Sequence, residues 1–257
     1  MSDTRVGIVG EPTDSVESAV ESAGATPVVG EDVRPVAFTI AVGGAGIRSV
    51  LPSIASPVLP VGLDWRGLES LPVDALPSIL PTLCAAFGTD STTESSSLSA
   101  SQLTVTQPVL RATCGDCLGY ALGDVTLIAG EPARISEFTV VAGDGSSGRQ
   151  ITSVRADGIV VATPVGSHGY AHDAGGPLLG LETNVASIVP IGPFSTAPEH
   201  WVVDLSAISL TVDRDEPAVE LLVDGTLAGT VPATETVTLS AVDTIETIGI
   251  QGGLERL

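Results

Sequence analysis

The hydrophobic pattern of this chain changes period between residues 88 and 102, and that change limits the folds open to it. Before residue 88, short apolar runs alternate with helical spacing. Residues 6–10 form an apolar run closed by Gly10, as expected of a buried parallel strand. Residues 15–24 place Val16, Ala19, Val20 and Ala23 at helical spacing, with Gly24 as the stop. Residues 26–30, 37–42 and 57–62 read as further strands. Residues 74–87 suit a helix, although Pro77 and Pro81 count against it. Strand alternating with helix predicts an open parallel α/β sheet. After a Ser/Thr-rich stretch that reads as a linker or surface loop, short β-branched runs follow one another to the end. Examples are 125–128, 138–141, 158–162, 201–205, 219–223 and 236–239, with turn signals such as Asp224-Gly225 between them. This part predicts an all-β, sandwich-like domain. The expected boundaries are 1–98 for the α/β domain and 99–240 for the β-rich one.

Composition narrows the function classes. Of 257 residues, 43% are hydrophobic but only 3% aromatic, so the core must be built from Val, Leu, Ile and Ala. The net charge is -21, from 31 acids against 10 bases, and every base is Arg. A chain this apolar is not of the disordered class, so the charge coats a folded body. An acidic, Lys-free surface suits a cytoplasm at molar salt, where the Debye length falls to roughly 3 Å and self-repulsion is screened. The same charge argues against nucleic acid and anionic membranes as partners, since both demand a basic face. No uncharged apolar run approaches membrane-spanning length, and residues 1–5 lack a signal-peptide charge pattern, so a cytoplasmic location is expected.

Two segments carry the chemistry. The run 37–42 leads directly into Gly43-Gly44-Ala45-Gly46. Glycines here let backbone N–H groups approach an anion without Cβ interference, though a plain tight turn explains them equally. The second segment runs Asp157-Gly158, an apolar strand, then Thr163-Pro164-Val165-Gly166-Ser167-His168-Gly169-Tyr170, then Gly175-Gly176-Pro177. A buried strand delivering a polar, Gly-rich turn to a short helix is a natural place to hold a nucleotide. The pair Cys114-Gly115-Asp116-Cys117 has no second C-x-x-C to complete a zinc site and reads as a hairpin turn. Residues 144–148 read as a turn, without the ligand spacing of a calcium loop. No metal ligands are identified.

These segments, in this order, resemble the NAD kinase family. That family carries a Gly-Gly-Asp-Gly loop, an Asn-Glu or Asn-Asp pair, an Asp-Gly strand leading to Thr-Pro-x-Gly-Ser-Thr-Ala-Tyr, and a Gly-Gly-Pro. Asp157, Gly158, Thr163, Pro164, Gly166, Ser167, Tyr170, Gly175, Gly176 and Pro177 fall in register with it. Ala121-Leu122-Gly123-Asp124-Val125 is similar to the family's Ala-Leu-Asn-Asp-Val, residues 188–194 to its Ile-x-Pro-Ile-x-Pro-His, and Asp224-Gly225 to its Asp-Gly turn. The resemblance implies an α/β domain and a β-rich domain, with a final segment, 241–257, returning to the first. It implies phosphorylation of the 2′-hydroxyl of NAD's adenosine ribose to give NADP, with ATP or polyphosphate as donor and Mg or another divalent metal. It implies a homodimer or homotetramer. The nucleotide-binding residues carried over are Gly43, Gly44, Gly46, Asp124, Asp157, Gly166, Ser167, His168, Tyr170 and Asp173.

The chain departs from the family at four places. Ala45 replaces the loop aspartate, Gly123 the Asn, His168-Gly169 the Thr-Ala, and Phe194 the later His. Phosphoryl transfer needs a group that orients the nucleophile, and Ala45 supplies none. Asp64 and His168 are the candidate substitutes. His172 and Asp173 cluster near His168, while His200, beside Trp201, reads as structural. The alternative function is a non-catalytic NAD, NADP or adenine-nucleotide-binding sensor or regulatory homologue.

The charge makes one measurable demand. Raising salt from about 0.1 M to about 1 M screens acid–acid repulsion. The thermal midpoint should therefore rise with KCl, as read by scanning calorimetry.

Overall fold

The computed structural model describes residues 4–30, 35–51, 55–88, 100–131, 135–143, 148–195, 199–213 and 218–249. The chain divides into two compact units. One comprises Met1–Thr106 and Ile245–Leu257, the other Gln107–Thr244.

The first unit is α/β. Its strands are β1 (Arg5–Gly10), β2 (Thr26–Val29), β3 (Phe38–Val42) and β4 (Val58–Val61), all parallel, in the order β2-β1-β3-β4. Thr247 adds a parallel pairing to Val58 on the far side of β4. All five residues of β3 are buried, which explains its largely apolar reading, and the one polar side chain, Thr39, is 2.9 Å from Ser56 Oγ. The helices are α1 (Asp14–Ser22), α2 (Gly43–Val50), α3 (Leu76–Phe87) and the short α4 (Ala100–Leu103). Val16, Ala19 and Val20 form the buried face of α1, the spacing seen in the sequence. Helix α3 runs unbroken through its prolines. Pro77 lies in the first turn, where a missing N–H costs nothing. Pro81 forfeits a bond, at about 3 kcal/mol, but burial of Leu76, Ile79, Leu80 and Leu83 offsets it at about 1.5–3 kcal/mol each. The four-residue α4 stands where a linker's end was expected; residues 89–99 of that linker lie outside the described residues.

The second unit is a β-sandwich. One sheet has the order β12 (Trp201–Asp204), β11 (Val185–Ile191), β10 (Gly158–Ala162), β7 (Asp124–Ala129), β14 (Val219–Val223) and β15 (Thr226–Val231), antiparallel throughout. Within this unit, β16 (Thr236–Ile248) pairs with β13 (Ile208–Val212), which pairs with β8 (Ser136–Ala142), which pairs with β9 (Arg149–Ala156). Strands β5 (Thr104–Cys114) and β6 (Cys117–Ala121) form a hairpin beside β16. Leu127, Phe138, Ile159, Ile188, Leu210 and Leu221, all fully buried, share one core drawn from both sheets. Cys114 and Cys117 face each other across the hairpin turn, both free. Burial, then the neighbouring Cys117, then Glu235, pushes the Cys114 thiol up, which disfavours the reactive thiolate. Of the turn at 144–148, residues 144–147 lie outside the described residues.

Two glycines in the first unit set how closely α2 approaches the sheet. Gly10 has φ +90, and a Cβ there would overlap the Val42 carbonyl. A Cβ at Gly46 would meet the Val9 carbonyl at 2.8 Å and Ala41 backbone at 3.0 Å. Gly24 has φ +78 but open space around it. Gly10→Ala should therefore cost about 3 kcal/mol or more, from left-handed strain plus overpacking. Gly24→Ala should cost only the strain, about 1 kcal/mol. Urea denaturation of the two variants measures the difference.

Candidate functional site

In the first unit, the strand ends decide where a ligand fits. Strands β1 and β2 run to one side, and the chain then crosses so that β3 lies on the other side of β1. This reversal is a topological switch point, and open α/β sheets bind ligands at the carboxyl ends of strands beside such points. Gly10 pairs with Val42, and Val42 with Val61, so three strands end at one edge. Gly43 follows there with φ +63 and begins α2 without a side-chain cap. The first N–H groups of a helix have no intrahelical partners, and here no acid lies in the first turn. Ala45 is exposed, with a methyl where a carboxylate was the resemblance's expectation. A Cβ on Gly44 would lie 3.1 Å from Arg48 Nη1, so that guanidinium folds back over the loop. Asp64 is exposed in the loop after β4, which leaves the same edge through Gly62 (φ +64). Leu63 N–H donates to Ser70 Oγ at 2.9 Å and holds that loop.

In the second unit, β10 is buried on both faces. Ile159 and Val161 enter the sandwich core, while Val160 and Ala162 pack under Ala171 of α5 (Tyr170–Asp173) and Val189. The strand is therefore followed by a turn that folds back over it. Thr163 organises that turn, its buried hydroxyl donating to the Leu122 carbonyl at 2.6 Å and accepting from Gly166 N–H at 3.2 Å. Gly166 and Ser167 are buried in the 3-10 turn Gly166–His168. The Ser167 hydroxyl donates to the Pro164 carbonyl at 2.7 Å and accepts from Leu179 N–H at 2.9 Å. It thus builds the turn. His168 Nε2 lies 3.3 Å from the Leu179 carbonyl, and His172 Nδ1 3.3 Å from the Gly176 carbonyl. Each of those nitrogens must carry the proton to donate. Asp173 is exposed on α5. His200 lies over Gly175, whose added Cβ would be 3.4 Å from its ring.

Two carboxylates stand by the ends of β10. Asp124 stands opposite Ala162 at one end of β10, and Asp157 precedes Gly158 at the other, about 17 Å of strand away. Because α5 lies back over the strand, Tyr170 feels both. Burial first, then Asp124, then Asp157, pushes its phenol up, and its side chain remains 44% exposed. Burial also pushes Asp124 up, against the Thr126 hydroxyl that donates to it at 3.0 Å.

A third carboxylate, Asp224, lay in a turn that the resemblance picked out without assigning it a role. It accepts N–H bonds from Leu122, Gly123 and Asp124 at 2.9, 2.8 and 2.9 Å. Leaving such buried donors without a partner costs about 1–3 kcal/mol each. The Asp-Gly pair was the visible signal; its partners, about a hundred residues upstream, were not.

Comparison with known proteins agrees with this architecture. Residues 122–247 match the family described as ATP-NAD kinase C-terminal domain. The NAD kinase of Methanosarcina barkeri is 30% identical over 208 residues, 78% of this chain and 68% of that protein. The chain belongs to the NAD kinase family. With several other archaeal members the match narrows to 37–40% of their length. The fold is similar to that of yeast NADH kinase complexed with NADH, at a TM-score of 0.74 and 16% identity, covering 100% of this chain and 86% of that one. It is also similar to an NAD kinase from Archaeoglobus fulgidus in complex with ATP, at 0.73 and 18%, covering 99% and 97%. Among the described residues, no helix is long and apolar enough to cross a membrane.

Burial outweighs the three N–H bonds at Asp224 and, with Asp124 nearby, pushes it up from 3.8 to about 6. The folded carboxyl thus holds a proton that the unfolded one releases near 3.8. Stability from this group is present at acid pH and falls as pH rises from about 4 to about 6. The stability of the wild type relative to Asp224→Asn should fall across that window by at most about 3 kcal/mol. Chemical denaturation at stepped pH reads it.

Proposed function

We propose that this chain binds NAD and phosphorylates the 2′-hydroxyl of its adenosine ribose to give NADP, with ATP or polyphosphate as donor and slow turnover. The observation that carries the reading is the Tyr170 face: a partly exposed phenol on α5, the helix whose Ala171 covers a doubly buried strand, with Asp124 beside one end of that strand and Asp157 at the other. A ring of this kind stacks on a base, and carboxylates accept from amino and hydroxyl groups, which suits adenosine. Asp124, Asp157, Gly166, His168, Tyr170 and Asp173 are assigned to that ligand, with Ser167 shaping the turn. Gly43, Gly44 and Gly46 suit phosphate, since backbone N–H groups at a helix start favour anions. The family's named activity supports the same assignment.

A divalent ion would not find a protein cage here. Among the described residues no three His, Cys, Asp or Glu gather to hold one, and the Asp224 carboxylate is engaged by backbone. Such an ion would arrive on the donor's phosphates, as Mg²⁺ commonly does. Hydroxyl activation then falls to Asp64 or His168. We further assign a homodimer or homotetramer in a high-salt cytoplasm.

Ala45 favours a second reading, a nucleotide-binding regulatory homologue without turnover. Ala45 is exposed, so Ala45→Asp can be accommodated, and an acid suits a helix's first turn. The test is NADP formation at high salt by wild type and Ala45→Asp, beside calorimetric NAD binding. We expect slow wild-type turnover that rises on the order of a hundredfold in the variant. NAD binding with no wild-type turnover would move the assignment to the second reading, and absence of NAD binding would overturn both.

A further inference from the structure

We propose that Asp224 is the positioning residue of the nucleotide face: its carboxylate fixes the 122–124 turn, which in turn sets where Asp124 and the Gly166 turn meet the ligand. This rests on the nucleotide-binding reading above. Nothing in the resemblance or the comparisons gives Asp224 a role.

The geometry has three layers. In the first, three consecutive N–H groups, of Leu122, Gly123 and Asp124, converge on one carboxylate at 2.8–2.9 Å. Backbone concavities hold bound anions in this way. Here the anion is a side chain of the same unit. Asp224 is itself held, since its N–H donates to the Asp124 carbonyl at 2.9 Å and its φ is 47.

The middle layer is the 122–124 turn, with Leu122 and Gly123 buried. A Cβ on Gly123 would stand 3.0 Å from Asp224 Oδ1, so the carboxylate lies close against the turn's backbone. The third layer is the nucleotide turn. Thr163 donates through its hydroxyl to the Leu122 carbonyl at 2.6 Å and through its N–H to the Gly123 carbonyl at 2.9 Å. Gly166 packs so tightly on the Gly123 carbonyl that no Cβ fits. Displacing the middle layer therefore moves both Asp124 and the Gly166 turn. Because its carboxylate is occupied by backbone, Asp224 acts through these neighbours, without touching the ligand.

Asp224→Asn keeps the shape but replaces one acceptor oxygen with a donor. The experiment compares full-length wild type, Asp224→Asn, and two controls at neutral pH. Asp116→Asn removes an exposed acid from the hairpin turn. Leu210→Val loosens the fully buried core without touching the clamp. The readouts are hydrogen exchange of peptides covering 118–127, the thermal midpoint, and NAD dissociation constants by calorimetry. In Asp224→Asn, exchange at 122–124 should speed up and NAD affinity should fall on the order of tenfold, the loss of about one charge-assisted hydrogen bond. Leu210→Val should lower the midpoint while keeping both protection and affinity, which separates positioning from mere stability. Unchanged protection at 122–124 would overturn the clamp, whether or not NAD binds. Lost protection with unchanged affinity would overturn its role in positioning. A wild type that binds no NAD overturns the functional reading and, with it, the positioning role, even where exchange shows the clamp itself.

Discussion

One strand without a solvent-facing side governs the chemistry of the second unit. All five residues of β10 are buried, alternate ones entering the sandwich core and the others lying beneath Ala171. A strand covered on both faces needs something to cover the second face, and in an antiparallel sandwich that face is ordinarily open to water. The cover here is the segment that leaves the strand itself. Thr163 reverses the chain, and Gly166 and Gly176 allow close backbone approach. A Cβ on Gly176 would meet Val189 Cγ2 at 2.5 Å and the Ala171 carbonyl at 2.7 Å. Tyr170 is carried over the strand as a consequence of this packing.

This dependence explains which parts were legible in the sequence. The doubly buried strands β3 and β10 read as apolar runs, broken only by Thr39 in β3, because neither face had to be polar. Helix α1 showed its buried stripe at Val16, Ala19 and Val20 because one side meets the core. Strand β15 was not legible, and β6 was legible only through the hairpin turn before it. Their burial is broken and glycines interrupt them, so neither clear alternation nor an apolar run survives. Helix α3 was read where it stands, although its prolines counted against it. Local propensity counts its prolines, whereas the four buried apolar side chains act only after tertiary contacts form.

The candidate site divides along the same line. Its local parts, Gly43 to Gly46 and Thr163 to Tyr170, are contiguous and recognisable by spacing. Its long-range parts are not. Asp124, on β7, stands beside the last residue of β10 and Asp157 precedes its first, and only the fold-back of α5 relates both to Tyr170. Asp224 is 101 residues from Gly123, and its Asp-Gly signature equally suits any hairpin turn. In a chain with 31 acids, nothing in the sequence separates an acid that serves as an internal anion from one that coats the surface.

That abundance of acids also gives Ala45 its meaning. A protein with a net charge of -21 repels nucleotide phosphates out to about the Debye length, roughly 8 Å at physiological salt and roughly 3 Å at 1 M. At contact distance the local groups decide. An aspartate at position 45 would place one more negative charge among the uncapped N–H groups of α2. With alanine there, the N–H groups that begin α2 meet no acid in their own first turn, and the Arg48 guanidinium folds back beside Gly44. On the proposed reading the same residue leaves the attacking hydroxyl without a carboxylate to orient it. The two roles, holding phosphate and activating a hydroxyl, come apart on that reading: the loop keeps helix-start N–H groups that favour an anion and lacks the carboxylate that would favour transfer.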